Sequence, residues 1–159
     1  MTNNIKLQEV CKQLHIPVVG TTSWPLPIEA REILQESNPC PFTAADIDER
    51  LIGTTDFMPH SAIVCLFPYH VPHEGPTNLS RYTWATDYHL VVTDYLQRLV
   101  DELKTTAPDA SFSIHCDTSP LADRYMAYLA GLGFYGKNKC FINPTWGSYI
   151  VIGTVLTTL

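Results

Sequence analysis

A continuous apolar run at Ser61–Pro68 constrains the fold of this 159-residue chain more than any other feature. It has the length of one strand, and its lack of polar alternation predicts a central strand buried on both faces. Ser111–Cys116 predicts a second central strand, and a third strand is expected from Ser148 to about Leu156. Because helical patterns separate these runs, we expect a layered α/β fold, with a mixed sheet flanked by helices.

The clearest helix lies between the first two of these strands. Its apolar residues recur at helical spacing and predict one buried face, formed by Val92, Leu96, Leu99 and Leu103. Thr86 or Asp87 is expected to cap its N-terminus. The remaining elements expected along the chain are helices at Ile5–Leu14, Ile28–Gln35 and Ala44–Leu51, a strand at Pro17–Gly20, and loops at Ser37–Phe42 and Tyr69–Ser80. A further helix is expected to start at Ser119-Pro120 and to end at the capping glycine Gly131.

Composition excludes several classes of protein. The formal net charge is −6, whereas a domain that binds nucleic acid by itself usually carries an excess of Lys and Arg. The five cysteines include no Cys-x-x-Cys, so neither a zinc ribbon nor a cluster-binding motif is encoded. The N-terminus has no hydrophobic signal core and no apolar run reaches membrane length, so we expect a cytoplasmic protein.

Two groups of polar residues are candidates for chemistry. Asp87 and His89 flank a tyrosine at the start of the long helix, where backbone N–H groups are unpaired. Asp117 follows the second predicted strand, at the sheet edge where open α/β folds bind ligands. The structural alternative is that both aspartates only cap helices, and that Arg124 pairs with Asp117 or Asp123.

The segment Gly131–Asn138 contains a Gly-x-Gly-x-x-Gly pattern. It follows a predicted helix and precedes a strand, which is the reverse of the context in a dinucleotide-binding fold. We therefore expect a loop whose backbone passes close to another group, with Lys137 and Asn138 available for hydrogen bonds. His70, His73 and Glu74 lie in a proline-broken loop without a third well-placed ligand, so exposed side chains are expected there and no metal site.

Together these segments resemble the N-terminal domain of the epoxyqueuosine reductases. The matching pieces cover roughly residues 59–159 and are Ser80-Arg-Tyr, Asp87-Tyr-His, Asp117-Thr-Ser-Pro-Leu-Ala-Asp-Arg, Gly131-Leu-Gly-Phe-Tyr-Gly-Lys-Asn and Asn143-Pro-Thr-Trp-Gly-Ser-Tyr. The resemblance implies a nitroreductase-like fold that binds base-off cobalamin and reduces an epoxide on a modified tRNA base in queuosine biosynthesis. It implies that Asp117 donates a proton and that Asp87, His89 and Arg124 line the substrate or cobalt side. It also implies a set of cofactor-binding residues, namely Ser80, Arg81, Tyr82, Tyr88, Gly133, Gly136, Lys137 and Asn138.

The resemblance also implies a further domain. Family members carry two four-iron four-sulfur clusters in a C-terminal part, and residues 1–159 lack its cysteine sets. We therefore expect a single cobalamin-binding catalytic domain, inactive alone, whose apolar end near Tyr149 favours a homodimer. The chain ends in an apolar strand, which suggests that it is truncated or normally continues. The tRNA would be the substrate of the full enzyme, and no membrane is involved.

Other functions remain open at this point. The chain could be a non-catalytic corrinoid-binding module, a reductase with another substrate, or a flavin enzyme of nitroreductase type. A physical constraint also applies to Asp117. A helix N-terminus and a nearby Arg124 would both favour its ionised form, so burial against the corrin would have to keep its proton in place.

Overall fold

The computed structural model describes residues 2–36, 47–52, 55–72 and 75–159. Its helices are α1 Thr2–Gln13, α2 Glu29–Glu36, α3 Ile47–Ile52, α4 Tyr88–Thr106 and α5 Asp123–Leu129, and a short 3-10 helix spans Arg81–Trp84. Its strands are β1 Val18–Ser23, β2 Ser61–Pro68, β3 Phe112–Cys116, β4 Phe134–Tyr135, β5 Phe141–Ile142 and β6 Ile150–Thr157. The expected loop at Ser37–Phe42, the first residues of the expected Ala44–Leu51 helix, and His73 with Glu74 lie outside the described residues.

The main sheet has the strand order β1-β2-β6-β3, and every neighbouring pair is antiparallel. The expected mixture of parallel and antiparallel pairs is therefore wrong for this sheet, because strands that run in the same direction are separated in it by a strand of the opposite direction. Because β2 and β3 both lie beside β6, they run in the same direction and end at the same edge of the sheet. The prediction that the second apolar run forms a central strand is wrong, since β3 lies at the edge of the sheet. An apolar run reflects how its faces are covered, and it carries no information on how many strands lie beside it.

Helices cover both faces of this sheet, as expected for the α/β class. Along β2, Val64 and Leu66 join the core under α5, whereas Ile63 and Cys65 join the core under α1 and α4. All four are buried, which confirms the prediction of a strand covered on both faces. Helix α4 packs closely on β6, where a Cβ on Gly153 would lie 2.8 Å from a methyl carbon of Val92.

Two of the predicted helix ends are correct and one predicted helix start is wrong. Asp87 is the N-cap of α4, and its side chain accepts a hydrogen bond from the backbone N–H of His89. Gly131 has φ +72° just after α5, and Leu132 N–H bonds to Ala127 C=O at 3.0 Å, as a capping glycine requires. The expected start at Ser119-Pro120 is wrong, because α5 begins at Asp123.

The reason for the later start is the turn that leaves β3. Asp117 has φ +59°, and the N–H of Thr118 bonds back to the carbonyl of Cys116 at 2.6 Å. The chain therefore reverses immediately after the strand and needs the residues up to Ala122 before it can become helical. Among the described residues, no helix is long and apolar enough to span a bilayer.

Candidate active site

The candidate site lies at the sheet edge where β2 and β3 end and β6 begins. Tyr69 directly follows β2, and its N–H donates to the carbonyl of Tyr149, just before β6. Asp117 directly follows β3, and Tyr88 is the first residue of α4. The antiparallel register thus collects side chains that are far apart in sequence, and the expectation of a site at this edge is consistent with their placement.

Asp117 holds its carboxylate against two side chains from the start of α4. The phenolic hydroxyl of Tyr88 donates to its Oδ2 at 2.5 Å, and His89 Nε2 lies 3.3 Å from the same oxygen. Burial, and then the hydrogen bond to Asp117, raise the pKa of Tyr88, so its hydroxyl stays protonated and remains a donor. The Asp117 side chain is 60% exposed, which leaves its outer face open to a ligand.

His89 joins two carboxylates. Its Nδ1 lies 2.8 Å from Asp87 Oδ1, on the opposite side of the ring from the nitrogen near Asp117. The hydrogen bond to Asp87 is the largest cause that raises the pKa of His89, and the negative charges of Asp87 and Asp117 raise it further. The same hydrogen bond lowers the pKa of Asp87. An imidazolium can donate from both nitrogens, so this arrangement favours the charged ring. We call Asp87, Tyr88, His89 and Asp117 the polar cluster.

A row of aromatic rings leads away from the polar cluster. The ring of Tyr88 lies 6.0 Å from that of Tyr82, which lies 6.4 Å from Tyr69, which in turn lies 5.8 Å from Tyr149. All three pairs meet nearly edge to face, a favourable arrangement of ring quadrupoles. Tyr82 and Tyr149 nevertheless remain 46% and 40% exposed. We call these four tyrosines the aromatic row.

Arg81 fixes the far end of this row. Its guanidinium carbon lies 5.9 Å from the ring centre of Tyr149 and 5.6 Å from that of Trp84. One nitrogen donates to the carbonyl of Val71 at 3.1 Å and lies 3.0 Å from Nε2 of His70. The 3-10 helix that begins at Arg81 is thereby held against the end of β2. Ser80 only precedes that helix, and its side chain makes no capping hydrogen bond there.

The glycine segment forms the β4–β5 hairpin, and its own packing explains two of the glycines. A Cβ on Gly133 would lie 2.2 Å from the carbonyl oxygen of Ile142, and a Cβ on Gly136 would lie 2.8 Å from Oδ1 of Asn138. That Oδ1 accepts a hydrogen bond from Cys140 N–H, and Lys137 is exposed. The packing of the hairpin itself therefore explains Gly133, Gly136 and Asn138. The expected contact of this segment with a corrin stays a prediction.

Arg124 connects the hairpin to the start of α5. Its guanidinium donates to the carbonyl of Lys139 at 2.8 Å. The alternative that Arg124 forms an ion pair with Asp117 or Asp123 is therefore wrong, since its guanidinium bonds to the hairpin. The helix N-terminus beside the Asp117 carboxylate is that of α4, through Tyr88 and His89.

Asp123 is a residue that the sequence analysis mentioned only as a possible partner of Arg124. It is half-buried in the first turn of α5. Burial, and then the negative charge of Asp117, raise its pKa to about 7, while Thr154, Arg124 and Arg50 act in the opposite direction. No sequence pattern would have found it, because its surroundings are assembled from β3, β6, α3 and α5.

The groove along α1 and β1 is separate from this site. A groove of about 670 Å³ lies along α1 and β1 and is lined by Gln8, Cys11, Lys12, His15, Ile16, Pro17, Val18 and Val19. None of the predicted site residues lines it. Within the described part of the chain, no three His, Cys, Asp or Glu side chains are grouped to hold a metal ion.

Known proteins resemble the segment that carries the site. Residues 57–118 match the sequence family described as "Epoxyqueuosine reductase QueG, DUF1730". An epoxyqueuosine reductase from Synechococcus sp. (strain CC9605) is 41% identical over 87 residues, which are 55% of this chain and 27% of that protein. The chain thus spans about a quarter of that relative.

Solved structures match the whole fold. A crystal structure of epoxyqueuosine reductase with an epoxyqueuosine-modified tRNA-Tyr stem loop has a TM-score of 0.83 at 25% identity, and the match covers 99% of this chain and 45% of that one. The epoxyqueuosine reductase from Bacillus subtilis, with a catalytic loop named for an aspartate swung out of the active site, has a TM-score of 0.80 at 25% identity. This match again covers 99% of this chain and 45% of the other. The sequence match and the fold agree in their similarity to the epoxyqueuosine reductases.

Proposed function

We propose that this chain is the cobalamin-binding catalytic part of an epoxyqueuosine reductase, and that it works together with an iron–sulfur part that supplies electrons. The observation that carries the proposal is the polar cluster, in which Asp117 lies on a sharp turn at the end of the aromatic row. In a solved structure of the same fold, a catalytic loop named for an aspartate is swung out of the active site. Asp117 on its loop between β3 and α5 is the candidate for that role here.

The chemistry of the site is compatible with a corrinoid. A corrin is a large flat ring with amide side arms, so its site needs a broad apolar surface bordered by hydrogen-bonding groups. The aromatic row supplies the surface, with Tyr82 and Tyr149 still substantially exposed. Arg81 and the polar cluster lie at its borders. A cobalamin at this site would be held by contacts of these side chains to its ring and to its amide arms.

Each residue of the polar cluster has a distinct task in this proposal. Cobalamin, when bound, supplies the reducing electrons at the carbon that bears the epoxide. Asp117 faces the ligand with one carboxyl oxygen, while the other is held by Tyr88 and His89, so the group is oriented toward the leaving oxygen. It delivers the proton that allows this oxygen to leave. Asp87 holds His89 in place, and His89 in turn lies against the inner carboxyl oxygen of Asp117.

We propose a modified tRNA base as substrate because a relative of this fold is described in complex with an epoxyqueuosine-modified stem loop. The formal charge of −6 argues against a strong phosphate contact by this chain alone. The main tRNA-binding surface would then lie in another part of the enzyme. This chain would receive only the modified base, at the open face of Asp117.

An absorbance titration tests the cofactor assignment directly. The purified protein is mixed with cobalamin or with flavin mononucleotide, and the spectrum of the fraction retained after gel filtration is recorded. We expect retained cobalamin with the spectrum of the base-off form and no retained flavin. Tight retention of flavin with no effect on the cobalamin spectrum would refute the proposal in favour of a nitroreductase-type flavin enzyme.

A further inference from the structure

The β4–β5 hairpin and the helix before it carry a positive charge that the rest of the chain lacks. Residues 124–159 contain three of the ten Lys and Arg residues and none of the sixteen acidic residues, although the whole chain has a charge of −6. The three are Arg124 in α5, and Lys137 and Lys139 in the turn between β4 and β5. A negatively charged ligand is therefore attracted to this part of the molecule, even though the chain as a whole repels it.

Backbone hydrogen bonds hold these three charged residues together. The guanidinium of Arg124 donates to the carbonyl of Lys139 at 2.8 Å. Two bonds of 2.9 Å close the turn, from the N–H of Gly136 to the carbonyl of Cys140 and from the N–H of Lys139 to the carbonyl of Gly136. All three charged residues are exposed, and in the ranges that the structure describes none of them forms an ion pair. Their charge is therefore available to a partner from outside the chain.

Exposed aromatic rings lie beside these charges. Tyr128 is four residues after Arg124 and therefore shares its face of α5. The ring centre of Tyr128 lies 6.0 Å from that of Tyr135 in β4, and on its other side Tyr128 stacks on the buried Tyr125 at 6.2 Å. Tyr128 and Tyr135 are nevertheless 49% and 42% exposed. We call the five exposed residues the hairpin face, namely Arg124, Tyr128, Tyr135, Lys137 and Lys139.

Single-stranded nucleic acid has the chemistry that this face fits. Unpaired bases stack on exposed aromatic rings, while Lys and Arg side chains neutralise the neighbouring phosphates. A double helix keeps its bases inside and would use only the positive charges. An acidic protein segment would also use the charges, but it offers few flat groups that could cover two adjacent rings. The combination of rings, cations and no carboxylate therefore favours an unpaired RNA segment.

We propose that the hairpin face binds unpaired nucleotides of the RNA loop that carries the modified base. This inference rests on the proposed function, in which such an RNA is the substrate, and it adds a second contact beyond the base at Asp117. Phosphates approach the three cations, and bases stack on the exposed rings of Tyr128 and Tyr135. The contact is local and weak, so it agrees with the net charge of −6 and leaves the main RNA-binding surface elsewhere in the enzyme.

The test is a fluorescence anisotropy titration of labelled RNA with the protein, without cofactor and at about 50 mM salt. The probe is an unmodified RNA stem loop with about eight unpaired nucleotides, within the usual site size of a single-strand binder. The reference probe is a blunt RNA duplex of the same length. We expect saturable binding of the stem loop, with a Kd of about 100 μM or tighter, and binding of the duplex that is at least about fivefold weaker.

Two pairs of variants separate stacking from charge. Tyr128→Ala with Tyr135→Ala should weaken stem-loop binding at least about tenfold, whereas Tyr128→Phe with Tyr135→Phe keeps both rings and should bind within about twofold of the parent. Lys137→Gln with Lys139→Gln should weaken binding and reduce the slope of log affinity against log salt concentration by about one. Its matched control, Lys12→Gln with Lys104→Gln, removes the same charge from exposed positions on α1 and α4, which cover the other face of the sheet, and should change neither.

No saturable binding of the stem loop, or equal affinity for the duplex, would overturn the inference. So would equal losses in the lysine variant and its control, or unchanged RNA affinity in the double alanine variant. If that variant instead releases the iron–sulfur part from the complete enzyme, the hairpin face is a protein interface. Circular dichroism checks that each variant is folded, and the lysine variant keeps the test decisive if the alanine variant is not. Because the titration needs no cofactor, failure of the proposed function would be seen separately in the absorbance titration.

Discussion

The phenolic oxygen of Tyr88 lies 2.5 Å from Oδ2 of Asp117, across 29 residues of sequence. This bond joins the first turn of α4 to the turn that follows β3. Because His89 and Asp87 sit on the same helical turn, one bond brings all four members of the polar cluster together. It also leaves the second carboxyl oxygen of Asp117 facing outward, which is the geometry that a proton donor needs.

Replacing Asp117 by Asn should abolish turnover in the complete enzyme while leaving cobalamin bound. The amide keeps the shape of the side chain and can still accept from Tyr88, but it has no proton to deliver. Single-turnover assays on an epoxide-bearing stem loop, together with the bound-cofactor spectrum, measure both effects. Asp109→Asn serves as the control, and normal turnover by the Asp117 variant would remove this residue from the chemistry.

The titration of His89 should depend on Asp87. Since the Asp87 contact is the main cause of the raised pKa, Asp87→Asn should shift the His89 midpoint to lower pH. A raised folded-state pKa means that the stabilisation by His89 is complete below its unfolded-state pKa and is lost as the pH rises through the folded-state value. Proton NMR of the imidazole ring checks the shift. An unchanged midpoint in the variant would show that the two side chains do not interact in solution.

The free energy of unfolding should fall as the pH rises, because of Asp123. Its pKa is raised from 3.8 to about 7, so the folded state binds this proton more tightly than the unfolded state does. Stability from this group is complete below the unfolded-state pKa and is lost up to about pH 7, by up to about 4 kcal/mol.

Urea denaturation at several pH values measures this dependence. In Asp123→Asn the fall should disappear, and the variant should gain most relative to the parent above pH 7. Parallel curves for the two proteins across the range would contradict the raised pKa. Asp109→Asn controls for the general effect of removing one negative charge.

Gly133→Ala should be far more damaging than Gly131→Ala. The new Cβ at Gly133 would lie 2.2 Å from a backbone carbonyl that cannot move without breaking the hairpin, so we expect a loss of about 3 kcal/mol or more. At Gly131 there is open space and only the positive φ opposes a side chain, which costs about 1 kcal/mol. Thermal denaturation of both variants compares them. Equal losses would mean that the hairpin does not pack as described.

Periodicity and caps were sufficient for the elements that position the site. The buried β2, the apolar face of α4 and the Asp87 cap were all predictable, since each depends on residues close together in sequence. The edge position of β3 was not, because strand order depends on contacts among distant segments.

The start of α5 and the partners of Arg124 and Asp123 could not be predicted from the sequence either. Asp117 turns with φ +59° immediately after β3, so the helix expected at Ser119-Pro120 starts late. Arg124 then reaches Lys139 instead of an aspartate, and Asp123 meets Thr154. These partners come from four separate elements, and no local pattern marks them.

The affinity for cobalamin of a variant of the aromatic row tests the central claim most directly. Tyr82→Ala with Tyr149→Ala removes two exposed rings of the row, whereas Met58→Ala removes an exposed apolar side chain just before β2, at the opposite end of that strand. Equilibrium titration should show a loss of affinity of at least about tenfold for the double variant, since each lost ring contact is worth about 1 kcal/mol, and no loss for Met58→Ala. Equal cobalamin affinity in all three proteins would contradict the account.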